Sequence, residues 1–261
     1  MIKRKFFINS LLILVGISLQ LSALAANIFE ATYKGKASGL KIEMVRTLKQ
    51  LDDGNYLFSS KADNFFASLT EISTFKIERS QIIPLGYYHE RKIFGKSSQE
   101  TIHFDWQNKI ARYERSDKPE RNKTHPISLG LLDPALYQLA IQMDNFVKNN
   151  NFHYSFVKRN KIKHYDFEPL ENDTFELSKK DFDVITLRRK FTENSETTVW
   201  LAPELDYQIA KLIHDDKDGT DFQVELISYS RDKEALIHFY NQIKNVKPQN
   251  ESSATLRNNK K

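Results

Sequence analysis

The chain has 261 residues, no cysteine, and 39 Lys and Arg against 34 Asp and Glu, a formal charge of +5. The missing thiols exclude a cysteine nucleophile, a CxxC redox pair, an iron–sulfur cluster, a thiolate zinc site and a lipid-bearing cysteine. A charge this close to balance, without a clustered basic face, argues against a nucleic-acid partner.

The first segment has the three parts of a secretory leader. Lys3, Arg4 and Lys5 are followed by an apolar stretch from Phe6, densest over residues 11–17, and by Ala23-Leu24-Ala25, the small-x-small pattern of a cleavage site. Residues 1–25 are therefore expected to be a signal peptide cut between Ala25 and Ala26, with the mature protein in a bacterial periplasm. A spanning helix needs roughly 20 predominantly apolar residues, and Asn9, Ser10, Ser18, Gln20 and Ser22 interrupt this one. No later stretch is apolar enough to span, so no transmembrane segment is expected after cleavage. The three leader cations leave with it, so 36 cations then face 34 acids.

The body alternates apolar and polar residues in strand fashion. Strands are predicted over 28–36, 40–51 and 56–62, with Asp53-Gly54 between the last two as a type I′ hairpin turn. Further strands follow over 70–79, 85–94, 99–106 and 109–115. The period then changes: Leu136, Leu139, Ala140, Met143, Phe146 and Val147 share one helical face, with Asp133 as cap and Pro134 in the first turn. Alternation resumes at Phe152, Tyr154 and Phe156, and strands are predicted over 162–167, 182–191, 196–201, 209–214 and 222–229, the last two joined at Asp218-Gly219. Residues 234–243 read as a short helix. No linker divides residues 26–246, read as a single domain, and residues 247–261 form a polar tail predicted to be disordered. The expected fold is mainly β: a large curved antiparallel sheet or incomplete barrel wrapped around one apolar helix.

Searches for chemistry return little. Gly95-Lys96-Ser97 lacks the earlier glycine of a phosphate loop, whose position holds Glu90. A calcium loop centred on Gly219 would begin with His214 and hold Phe222 at its ninth position, so a hairpin is preferred. No HExxH, GxSxG or short histidine pair occurs, and no metal, cofactor or catalytic residue is assigned. Lys158, Arg159, Lys161 and Lys163 lie over a predicted hairpin tip, read as a solvated turn with anionic head groups or a glycan as the alternative. Phe65 and Phe66 fall between strands and read as core, the alternative being the mouth of a ligand cavity.

Residues 163–228 carry a resemblance. Tyr165-Asp166-Phe167, Phe182-Asp183-Val184-Ile185, Leu187-Arg188-Arg189, the run from Trp200 through Pro203 to Leu205, and Lys217-Asp218-Gly219 are similar to the exported bacterial proteins grouped as domain of unknown function 3108. The similarity extends more weakly back to Ala31. It implies export and a β fold and no activity. Trp200, Pro203, Asp218 and Gly219 are its motif matches, read as structural: Trp200 as a buried aromatic anchor, Pro203 as a rigid strand opening. The expected function is non-enzymatic, with a lipid or other apolar small molecule held in the curved sheet. The alternatives are an envelope assembly factor acting through a protein partner, and a hydrolase using two carboxyls.

Overall fold

A computed structural model describes residues 27–189, 195–216 and 221–244. The expected signal peptide, the expected disordered tail, and Asp218 and Gly219 lie outside the described residues. The first half contains β1 (Asn27–Ala37), β2 (Leu40–Gln50), β3 (Tyr56–Asp63), β4 (Ala67–Glu78), β5 (Gln81–Ile93), β6 (Lys96–Asp105), β7 (Ile110–Arg115) and β8 (Lys123–Pro126). The short β9 (Leu131–Leu132) and helix α1 (Leu136–Phe146) follow. The second half contains β10 (His153–Lys158), β11 (Lys161–Pro169), β12 (Asp173–Leu177), β13 (Lys180–Arg189), β14 (Ser195–Ala202), β15 (Gln208–Asp216), β16 (Phe222–Arg231) and helix α2 (Lys233–Lys244).

The strands form one sheet of two meanders joined at its middle, where β1 pairs with β16. From there β2 to β8 run outward one way and β15, β14, β13, β11, β10 and β9 the other, with β12 paired onto β13. The sheet is not closed into a barrel. It is mixed rather than purely antiparallel, because β9 and β10 are parallel. A parallel pair requires a crossover connection, and α1 supplies it. Three strands escaped the sequence reading. β8 buries only His125, β9 is two residues long, and β12 alternates only over Phe175, Glu176 and Leu177, so each run is too short to mark a half-buried strand. The turn after β2 also differs. Gly54 alone has a positive φ (81°), and its N–H donates to the Leu51 carbonyl, so a type I turn ends in a left-handed glycine instead of a type I′ pair.

One face of the sheet carries the core. Directly opposed residues of neighbouring strands share a face, and the register places Leu48, Phe58, Ser73, Tyr87, Ile102 and Tyr113 in one buried row from β2 to β7. Two helices pack into this core, not one. From α1, Leu136, Leu139, Ile141 and Met143 are buried; from α2, Leu236, Phe239 and Tyr240. The Tyr240 ring stacks on Phe146 at 3.9 Å, and Phe239 meets Tyr56 edge-on at 5.0 Å. Asp133 opens α1 as expected: its Oδ1 accepts the Ala135 and Leu136 N–H groups, both at 2.9 Å, and the Ser73 hydroxyl at 2.8 Å.

Candidate functional site

Two residues nearer the β1–β2 hairpin tip than the buried row, the same sheet face changes character. Arg46, Ser60, Glu71, His89, Glu100 and Arg115 are successive register partners from β2 to β7, a polar row across six strands. One step further the partners are Met44, Ala62 and Leu69, apolar again, followed by Arg91. Above the polar row lies a cavity of about 580 Å³, within the range of about 300–1,000 Å³ usual for small-molecule sites. Its walls are largely apolar, with Ile42, Met44, Leu69, Leu212, Phe222 and Val224 from both meanders. A smaller space of about 300 Å³ shares Glu71, His89, Arg91, Tyr137 and Gln138 with it.

Helix α1 supplies the inner end of the cavity through Tyr137 and Gln138. Tyr137 stacks on Phe156 at 4.5 Å, and burial pushes its hydroxyl above the ordinary phenol range. Gln138 is held by a 3.1 Å bond from Nε2 to the Pro134 carbonyl, which turns its Oε1 to accept from Arg46 Nη2. Arg46 Nε donates to Ser60 Oγ at 3.1 Å, and the guanidinium sits 5.3 Å from the Phe58 ring centre. Only 4% of Arg46 is exposed, yet no carboxylate oxygen of the described residues lies within 4.0 Å of it. Burying a cation costs several kcal/mol; here neutral acceptors and a ring face meet it, and Glu71 stands two strands away in the same row. Beside it, burial raises the Tyr33 hydroxyl, and the Arg46 charge pulls it back partway.

The hairpin tips surround the opening. The Phe65–Phe66 core expectation fails: Phe65 is 92% exposed, Phe66 49%, and Phe94 on the neighbouring tip 75%. Their rings touch, Phe65 to Phe66 at 5.0 Å and Phe66 to Phe94 at 5.5 Å. Asn64 Oδ1 accepts the Phe66 and Ala67 N–H groups at 2.8 Å, which folds the tip so that both side chains leave the sheet. They flank the mouth without lining it; Asp63, Asn64, Ala67 and Ile93 do so. Of the basic run, Lys158 and Arg159 stand at the β10–β11 tip and line the cavity, whereas Lys161 and Lys163 do not.

The family-motif residues lie elsewhere. Trp200 is half-buried instead of a buried anchor. It packs on the opposite sheet face near Val184, Ala202 and Ala210, its Nε1 donating to Asp173 at 3.3 Å and Lys211 over its ring at 5.5 Å. Pro203 opens a single 3₁₀ turn between β14 and β15, so its preset φ starts a helical turn and not a strand.

Hydroxyl–imidazole pairs occur among the described residues: Thr197 Oγ1 and His214 Nδ1 stand 2.8 Å apart at the cavity wall. Ser155 Oγ and His164 Nδ1 are 2.8 Å apart, but Asp166 bonds His153 instead, so no carboxylate orients His164. The carboxyl most raised in pKa, Asp133, is fully buried and closed to substrate. No described helix is long and apolar enough to cross a membrane.

No curated protein sequence matches this chain. A family model does: that of the protein of unknown function DUF3108, over residues 29–227, which takes in the strands of both meanders and every cavity wall named above. The chain therefore belongs to the DUF3108 family.

Proposed function

We propose that this protein is exported to the periplasm and binds an anionic amphiphile there, its apolar part between the two meanders and its charged head on Arg46. The observation that carries the reading is a buried arginine without a carboxylate partner at the inner end of an apolar cavity. A ligand carboxylate or phosphate would supply the missing charge in a site already shielded from water, where a charge-assisted bond is strong. The apolar walls would shed water onto a hydrocarbon chain, at about 25 cal/mol per Å² buried. The leader sequence supports export, since Lys3 to Ala25 has every part of a cleavable signal.

Native mass spectrometry of the mature protein, purified gently from the envelope fraction and followed by organic extraction, tests the reading. A discrete extra mass that extracts as an acidic lipid supports it. A clean unliganded mass, under conditions that preserve known lipid complexes, overturns it.

A further inference from the structure

We infer that the ring of hairpin tips around the cavity mouth is a docking surface for an anionic phospholipid bilayer. Leu40, Phe65, Phe66, Ile93 and Phe94 are all exposed there. The register shows why they gather at one end of the sheet. Ala37 pairs with Leu40 at the first tip, Asp63 with Ser68 at the next, and Ile93 with Lys96 at the third. The tips are also fastened together. Phe94 N–H donates to the Phe66 carbonyl at 3.0 Å, and Ser38 N–H to the Asp221 carbonyl at 2.7 Å. The backbone that carries the aromatic cluster is thus held by hydrogen bonds, which lowers the ordering cost of contact.

Charge selects the partner. Lys36, Lys41, Lys61, Arg91, Lys92 and Lys96 are exposed on or beside these tips. Against them, Glu90 is engaged by Ser97, Gln99 and Lys92, and Glu43 lies 4.0 Å from Lys34, which leaves Asp63, Asp221 and, at the end of β15, the exposed Asp215. Protruding aromatics collared by cations suit an interface in which rings sit below the head groups and lysines meet phosphates. The lysines weigh against a protein partner, because lysine is depleted at protein interfaces. The surface is continuous with the opening, since Leu40 and Ile93 line both, so docking would bring the cavity mouth against lipid. That purpose rests on the amphiphile reading; the docking itself stands on the tips.

The test is flotation of the mature protein with vesicles of phosphatidylcholine, with and without phosphatidylglycerol. The wild type should float with the anionic vesicles and lose binding as salt rises. The double variant Phe65→Ser, Phe94→Ser should bind about tenfold more weakly or worse, with an unchanged Tm because neither ring is in the core. Phe94→Trp should blue-shift its emission on anionic vesicles. No flotation of the wild type, equal flotation of the double variant, or an unshifted Phe94→Trp spectrum overturns the inference. So does a dimer, seen by sedimentation velocity, that the double variant abolishes, since the patch would then belong to a second copy. Arg46→Met separates the two readings, because it should lose an acidic cargo and still float.

Discussion

Replacing Asp133 with Asn should change how stability depends on pH. The carboxyl is fully buried, its Oδ1 accepting three hydrogen bonds and its Oδ2 finding no partner. Desolvation raises its pKa from 3.8 to about 7; the three bonds pull the other way and the Glu71 charge adds to the rise. Because the folded value lies above the unfolded one, the folded chain keeps a proton that the unfolded chain has lost between about pH 4 and pH 7. Stability therefore falls as pH rises through that window, by about 4 kcal/mol for three units at 1.36 kcal/mol each. Asn keeps the accepting oxygen and cannot ionise, but it puts amide donors where Oδ2 has no acceptor, at a cost of about 1–3 kcal/mol. The variant should be the less stable protein near pH 4 and equal or superior near pH 8. Urea unfolding of both proteins across this range measures the difference, and Asp144, whose pKa burial also raises, cancels because both carry it. A difference that stays flat from pH 4 to pH 8 would refute the desolvation account.

Three further outcomes are expected. Arg46→Met should weaken binding of a long-chain carboxylate about ten- to a hundredfold and leave the corresponding alcohol nearly unchanged by calorimetry, since a charged hydrogen bond contributes about 1.5–3 kcal/mol. Gly35→Ala would set a Cβ 1.8 Å from the Gln223 carbonyl oxygen. Forcing β1 and β16 apart should cost about 1–3 kcal/mol, lowering Tm by about 2–4 °C for each; an unchanged Tm would contradict the close approach. Tyr240→Ala removes the ring stacked on Phe146 and the 3.1 Å bond to the Asp206 carbonyl, and should cost about 3–5 kcal/mol in urea titrations.

Much of the fold was legible because half-buried strands write their burial into alternate residues. Asp133-Pro134 and the changed period likewise marked α1. The site is written into the sequence as breaks in that alternation. Along β2 the inward phase runs Ile42, Met44, Arg46, Leu48, and the charge in third place is an exception that alternation exposes. Glu71 between Leu69 and Ser73, and His89 after Tyr87, break phase at the same level of the sheet. Each exception is weak alone, and only the register shows that they align. Phe65 and Phe66 failed for another reason. An apolar pair in a turn faces core or solvent according to how the turn folds, and the Asn64 side chain decides that by capturing two N–H groups.

The cavity follows from a mismatch of lengths. Helix α1 lies across the strands rather than along them: it meets β4 through Asp133 and Ser73, β2 through Gln138 and Arg46, β15 through Gln142 and Gln208, and α2 through Phe146 and Tyr240. A helix with its side chains is about 10–12 Å wide. Strands of 11 residues such as β1 and β2 extend about 36 Å at roughly 3.3 Å per residue. Two helices lying across them thus cover about two thirds of that length. α2 packs by way of Tyr56 and Phe75, at the end of the sheet remote from the exposed aromatic tips. The uncovered third falls at the tips, where no third helix among the described residues stands over Met44, Leu69 and Leu212. The polar row marks the boundary: on one side the sheet face is sealed by helices, and on the other it lines the cavity.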